Sequence, residues 1–354
     1  MVELEQLLKH LAAEGGSDLH IKPGSAPRIR VGGQLCATPF PAPRPEEVEP
    51  LAHDVLPADR RAELERNGQA EVGVSVPGLG RFRVHVHRQR GSLAVSIRLV
   101  APGIVGLDDL GLPPQVARFA DEERGLVLVS GGSGSGRSTT VAGLVDRINE
   151  RRACHILTVE DPIEVLHADK LAIVTQREVG SDTPSYAEAL RGATRADADV
   201  VVVGDLPDEA TAVAALAVAE AGRLVVASMR GAGAAETIHR LVGVFPVDRQ
   251  AQARQLLAGV LRGVVNQRLL DRADGRGRVA AVEVLVATSK VVDCVADESR
   301  HGEIDRLIAE GQYNGMRSMD DALVDLVRDG VVASRDALAA AGSSEDLRFR
   351  LSVL

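Results

Sequence analysis

No stretch of the chain restricts its folding as much as residues 125–140, "GLVLVSGGSGSGRSTT". The apolar run Leu126 to Val129 reads as a strand covered on both faces. A glycine-rich turn follows, and then a helix with Val141, Leu144, Val145 and Ile148 along one side. Strand, glycine turn and helix in that order leave backbone N–H groups free to surround phosphate oxygens, and the helix N-terminus adds partial positive charge. The spacing Gly131-x-x-x-x-Gly136 with Ser138 behind it is that of a phosphate-binding loop, whose serine hydroxyl sits on a magnesium ion. Gly131, Ser133, Gly134, Ser135, Gly136, Arg137, Ser138 and Thr139 are therefore the candidate nucleotide-binding residues. Arg137 stands where such loops carry lysine.

From Gly125 onward strands and helices alternate, which predicts a mainly parallel sheet covered by helices. Ile156–Val159, Val200–Val203 and Leu224–Ala227 are its further strands, with an alanine-rich helix over 209–221. Beyond Pro246 come a long helix, a hairpin around "DRADGRGR" and a helical tail. The N-terminal part has another rhythm. Leu4, Leu7, Leu8 and Leu11 fall at helical spacing, "GGSDLHI" breaks the helix, and "RFRVHVHRQRG" then alternates. In that strand Phe82, Val84 and Val86 read as core, while Arg83, His85 and His87 form a basic face. The proline- and glycine-rich "APGIVGLDDLGLPP", residues 101–114, reads as a linker. The expectation is an α/β chain with a small α+β domain over 1–100 and a phosphate-loop domain over 115–354. It carries no internal repeat.

Composition excludes several classes. With 354 residues, 45% of them hydrophobic, the chain can bury two cores. A formal charge of -9 and a pI near 5.6 argue against general nucleic-acid or anionic-membrane binding, so any anion site must be local. Cys36, Cys154 and Cys294 suggest neither a disulfide framework nor a zinc site and suit a reducing cytoplasm. The N-terminus lacks an apolar signal core and no apolar run approaches the roughly 20 residues a bilayer span requires. A soluble, cytoplasmic protein is expected, reaching a membrane only through partners.

Magnesium and an attacking water need carboxylates at neighbouring strand ends, and two groups qualify. "TVEDPIE" supplies Glu160, Asp161 and Glu164, and "VVVVGDLPD" supplies Asp205 and Asp208. An acid closing an apolar strand is the usual metal-side partner of a phosphate loop. Glu160, Glu164 and Asp205 are thus the candidate catalytic residues, with Ser138, Glu160 and Asp205 the candidate Mg2+ ligands.

At this point the chain resembles the PilT family, the retraction ATPases of type IV pili within the secretion ATPase superfamily. "RACHILTVEDPIEVLH" is similar to that family's acidic box, and "TQREVGSDTPSYAEALRGATRADADVVVVGD" to the stretch leading to its Walker-B acid. "AAETIHRLVGVFP", "LLAGVLRGVVNQRLLDRADGRGRVAAVEVLVAT", "GSDLHIKPGSAPRIRVGGQL" and "GRFRVHVHRQRG" extend the likeness over nearly the whole length. The resemblance implies a RecA-like ATPase domain behind a PAS-like N-terminal domain. It implies ATP and Mg2+ as cofactors, a hexameric ring with nucleotide between domains, and work on pilus disassembly at an inner-membrane platform protein. It also implies that the N-terminal domain offers arginines to nucleotide, here among Arg83, Arg88, Arg90 and Arg98, with Arg83 and Arg98 the chosen candidates. His85 and His87 alternate as a possible metal pair, but no third ligand is evident.

The departures fall on chemistry-bearing positions. Arg137 replaces the family's lysine, and a wide planar fork is a poor substitute for a compact ammonium in a tight cradle. Asp205 replaces the family's water-positioning glutamate; one methylene fewer withdraws the carboxylate by more than ~1 Å, a displacement that can cost about 100-fold in rate. Arg223 and Arg230 stand where the family has two histidines reaching toward the phosphate end. "CVADESRHGE", residues 294–303, keeps little of the family's "AIRNLIREGK"-like retraction motif. The expectation is a retraction-motor family protein that binds ATP with impaired hydrolysis; the alternative is a non-hydrolysing regulatory or structural paralogue assembling with an intact pilus ATPase. Other readings of the same arginines stay open: Arg137 acting in lysine's place, since arginine forks stabilise transferring phosphoryl groups, and Arg223 and Arg230 as solvated surface residues or as groups drawing a triphosphate tighter.

Overall fold

The computed structural model describes residues 3–100 and 103–352. They divide into two compact units, Met1–Gly103 with Pro162–Leu166, and Ile104–Asp161 with His167–Leu354. The first contains α1 (Leu4–Ala13), β1 (Asp18–Lys22), β2 (Ser25–Val31), β3 (Gln34–Ala37), α2 (Pro45–Val55), α3 (Ala58–Asn67), β4 (Gln69–Val76), β5 (Gly80–Gln89) and β6 (Ser92–Leu99). Its sheet runs β3-β2-β1-β6-β5-β4 with every neighbouring pair antiparallel. The period-two pattern explains the packing. Phe82, Val84 and Val86 are buried in one cluster with Leu7, Leu8 and Leu11 of α1. The opposite face is polar, with Arg83 facing Arg98 and His85 facing Ser96 across β5 and β6. The rings of His85 and His87 stack at 5.2 Å, but no group of three His, Cys, Asp or Glu able to hold a metal occurs among the described residues.

The second unit claims part of the stretch expected as a linker. From Ile104 the described chain belongs to it, and Leu107 is buried in the same cluster as Leu144, Val145 and Ile148, so an apolar anchor overrides the proline- and glycine-rich composition. The unit then runs α4 (Pro114–Arg118), β7 (Gly125–Gly131), α5 (Arg137–Arg151), β8 (His155–Glu160), β9 (Ile173–Glu178), α6 (Tyr186–Ala193), β10 (Val200–Val203) and α7 (Glu209–Glu220). β11 (Leu224–Met229), α8 (Ala234–Gly243), α9 (Val247–Val260), β12 (Leu261–Asp271) and β13 (Arg278–Val286) complete the sheet. The tail is helical: α10 (Ser289–Ala296), α11 (Ile304–Glu310), α12 (Met319–Arg328), α13 (Ser334–Ala340) and α14 (Ser344–Ser352).

The strand order is β13-β12-β7-β11-β10-β8-β9, parallel throughout except for the β12–β13 hairpin. Helices cover both faces, which is why the strands are apolar without alternation. Leu126 and Leu128 of β7 join the cluster containing Leu190, Leu216, Ile238 and Leu257; Val127 and Val129 join the one containing α5's Leu144 and Ile148. No helix among the described residues is long and apolar enough to cross a membrane.

His87, His167 and His301 are each held below the ordinary histidine pKa, chiefly by burial. A base whose folded pKa is depressed contributes its stability above the unfolded value, near 6.5, and loses it as pH falls below that. The thermal midpoint should therefore drop between about pH 7.5 and about pH 5.5, and His301→Gln should flatten that slope in a calorimetric pH series.

Candidate functional site

Val159, Val203, Ala227 and Leu128 form one row across β8, β10, β11 and β7. Because these strands are parallel, whatever follows the row emerges at one edge of the sheet: Glu160, Gly204-Asp205, Arg230 and the loop from Gly131. At about 4.8 Å per strand, β10 lies roughly 10 Å and β8 roughly 14 Å from β7.

The loop's course follows from its glycines. Gly131, Gly134 and Gly136 have φ of 153°, 72° and 90°. A Cβ on Gly131 would stand 2.3 Å from Ser135 Oγ and 2.5 Å from the Gln267 carbonyl oxygen. Ser133 and Gly134 are exposed at the crest and Ser135 is buried beneath it. Gly136 is the N-cap of α5 without a side-chain cap bond, and the half-buried Arg137 and the exposed Ser138 and Thr139 form the helix's first turn. Open N–H groups, two hydroxyls and a guanidinium thus share one helix N-terminus, an arrangement suited to an oxyanion.

The carboxylates behave differently from one another. Glu160 Oε1 accepts from Thr158 Oγ1 at 2.7 Å and from Gln176 Nε2 at 3.2 Å, and Gln176 in turn accepts the His167 N–H at 2.8 Å. The Gly204 N–H donates to the Val159 carbonyl at 2.8 Å, which brings Asp205 to the strand end beside Glu160. Asp205 Oδ1 accepts the N–H of its own neighbour Leu206 at 2.9 Å, so the short side chain is turned onto its own backbone. Asp161 is exposed. Asp208 is a cap: it accepts the Thr211 N–H at 2.8 Å at the start of α7. Glu164 groups with the first unit, its Oε1 3.6 Å from Arg83 Nη1.

The two candidate arginines of the first unit are engaged in ion pairs there. Arg83 pairs with Glu71, Nη2 lying 3.1 Å from Oε2, and Arg98 Nε lies 2.8 Å from Asp18 Oδ1. Burial raises the Asp18 pKa, but the Ser17 hydroxyl and the Arg98 guanidinium outweigh it and leave the carboxyl below its usual range.

Arg223 stands apart from the phosphate loop. Arg223 precedes β11, and its carbonyl accepts the N–H of Gly125, the first residue of β7, so it lies at the edge opposite the phosphate loop. Its Nη1 is 3.1 Å from Asp199 and its Nη2 3.7 Å from Asp197. With six residues of strand between them, Arg223 stands roughly 20 Å from the loop end of β11. Arg230, just past that end, is exposed at the phosphate edge and makes no ion pair among the described residues.

Sequence reasoning missed the groups behind the loop. Asn266 Nδ2 donates to Ser130 Oγ at 2.9 Å and to the Gly231 carbonyl at 3.0 Å; Thr237 Oγ1 donates to Ser130 Oγ at 2.8 Å; Gln267 Nε2 donates to the Ser135 carbonyl at 2.9 Å. All four side chains are buried. The available signal was two adjacent amides, Asn266-Gln267, interrupting an apolar strand, because buried polar groups persist where they have partners.

Residues 49–337 match the protein family described as type II/IV secretion system protein. The chain is 36% identical over 336 residues to the type IV pilus retraction ATPase PilT of Pseudomonas aeruginosa, covering 95% of this chain and 97% of that one. It is 34% identical over 352 residues to the type IV pilus ATPase PilU of the same organism, with coverages of 99% and 92%. A solved structure of the pilus retraction motor PilT with bound ADP matches with a TM-score of 0.88 at 37% identity, covering 99% of this chain and all of that one. The chain belongs to the PilT family.

As a PilT-family protein it is a member of the type IV pilus retraction motors, and its second unit has the RecA-like ATPase fold. The PilT-family frame also separates capping from site chemistry. Asp208→Ala should cost about 1 kcal/mol through the lost cap, roughly 2–4 °C in a unit of this size, by thermal denaturation. Asp205→Ala, which removes only a bond to the next residue, should leave the midpoint nearly unchanged.

Proposed function

We propose that this PilT-family protein binds ATP at the 131–139 loop and turns it over slowly. The observation that carries the reading is the contrast at one edge of the sheet. The backbone cradle of Gly131, Gly134 and Gly136 keeps its left-handed glycines and its open helix N-terminus, while the acid beside it is an aspartate folded onto Leu206. Gripping a triphosphate relies on backbone N–H groups and positive charge, which Arg137 and Arg230 augment. Cleaving it relies on a carboxylate that reaches the attacking water, and Asp205 is one methylene short of that task.

Ser138, Asp205 and Glu160 would hold the Mg2+, whose chemistry is to neutralise charge on the phosphate oxygens. The donor set fits an ion completed by phosphate and water rather than one caged by protein, since no three carboxylate, histidine or cysteine groups converge among the described residues. Glu160 and Glu164 remain the further candidates for catalytic acids, and Arg83 and Arg98 for nucleotide contacts from the first unit. The protein would act in the cytoplasm as a ring, a hexamer by family resemblance, held at the inner face of the membrane by a pilus platform protein.

A second reading has an observation of its own. The chain is about as similar to PilU as to PilT, two pilus ATPases of a single organism. A hetero-hexamer in which this chain is the static subunit beside an intact paralogue follows the same logic, and it requires that the two copurify.

Side-by-side nucleotide binding and phosphate release by the purified protein test the proposal. Wild-type protein should bind ATP calorimetrically and release phosphate slowly, and Arg137→Lys with Asp205→Glu should raise steady-state release by about 100-fold. An unchanged rate in the double variant, or motor-like turnover by the wild type, would overturn it.

A further inference from the structure

We propose that Gln267 is a positioning residue of the nucleotide site, fixing from behind the direction in which the phosphate loop presents the Gly136 N–H. The inference rests on the nucleotide reading above and goes beyond it to a residue outside the loop. Its geometry comes from peptide planarity. In a trans peptide the C=O of one residue and the N–H of the next point in opposite directions. The Ser135 carbonyl is held by Gln267 Nε2 at 2.9 Å in a buried hydrogen bond. The N–H of Gly136, on the other side of the same peptide plane, is thereby aimed away from β12 and toward the open side of the loop. That N–H donates to no backbone carbonyl among the described residues, so it is available to a phosphate oxygen.

Three observations make this amide an anchor instead of a passive neighbour. Gln267 is 1% exposed, so its bond is not exchanged for water. It lies directly opposite Gly131 in the β7–β12 pairing, which fixes its height against the loop. Gly136 packs onto it so closely that a Cβ there would lie 3.0 Å from Gln267 Nε2. The residues on either side hold the neighbouring loop: Asn266 donates to the Gly231 carbonyl at 3.0 Å and Arg268 Nη2 to the Ala232 carbonyl at 2.9 Å. Alternation along β12 thus sends Gln267 to the phosphate loop, and Asn266 and Arg268 to the loop that carries Arg230. Arg268 also donates to the Ala340 carbonyl of α13, tying the helical tail to the same strand.

The test compares ADP binding by calorimetry in the wild type, Gln267→Glu and Gln267→Leu. Glutamate keeps the shape and, when ionised, lacks the donor; leucine removes all hydrogen bonding without adding a charge and is the decisive variant. Losing the anchor should weaken ADP binding about tenfold in both variants, with the nucleotide-free thermal midpoint lowered several degrees in Gln267→Leu and further in Gln267→Glu, which also buries a carboxylate. In the wild type, hydrogen exchange resolved at the Gly136 amide should slow on adding ADP. Variants that bind ADP as tightly as the wild type, or a Gly136 amide that ADP leaves unprotected, would overturn the inference while leaving the nucleotide reading intact. A wild type that binds no ADP overturns that reading and this inference with it.

Discussion

Residue 131 has no room for a side chain, and much of the site follows from that. β7 ends between Ser135 Oγ and the Gln267 carbonyl, both closer to a would-be Cβ than any real contact allows. The chain can therefore leave the sheet only as glycine, rising over β12 and turning back at Gly134 and Gly136 into α5. The strand pairing that creates the crowding also supplies the support. Asn266 lies opposite Ser130 and Gln267 opposite Gly131, so two buried amides sit under the loop where solvent would otherwise compete for its carbonyls.

Parallel pairing then sorts the charged residues by strand end. Glu160 closes its strand, Asp205 and Arg230 follow theirs, and all three reach the phosphate edge; Arg223 precedes one and reaches the other edge, where Asp199 and Asp197 take its charge. Of the four single-residue departures from the family pattern, only Arg137, Asp205 and Arg230 share an edge. The fourth is an ion pair that closes the β10–β11 end of the sheet. A residue's distance from a motif along the chain says little here; which end of its strand it flanks says nearly everything.

The repeating features of the fold were legible. Period-two alternation in β5 and unbroken apolar runs in β7 and β10 announce one half-buried and two fully buried strands, because burial on one face or both writes itself into the sequence. The phosphate loop was legible for the same reason, its glycines being demanded by geometry. What sequence concealed was pairing. Nothing local says that the strand after α9 docks beside β7, so nothing in the sequence marks Asn266 and Gln267 as supports of the loop. Nor did composition show that Leu107 anchors a stretch rich in proline and glycine. Asp208 was readable in principle, since an aspartate immediately before an alanine-rich helical run is a cap signature, yet its nearness to Asp205 suggested chemistry instead.

The substitutions at the phosphate edge have a common physical direction. Arg137 and Arg230 put fixed positive charge where the proposed triphosphate's negative charge would sit, and a guanidinium cannot shed that charge. Attraction of this kind acts on the ground state as well as on the transition state, and binding both equally raises affinity without lowering the barrier. Asp205 fits the same proposal: its carboxylate accepts the Leu206 N–H, and it is one methylene shorter than the glutamate of the family pattern. Under the proposed reading, more grip and less reach would make a site that holds its ligand longer than it transforms it. If the protein assembles as the ring proposed above, a subunit that keeps its nucleotide would impose one conformation on the cycle and so set its pace.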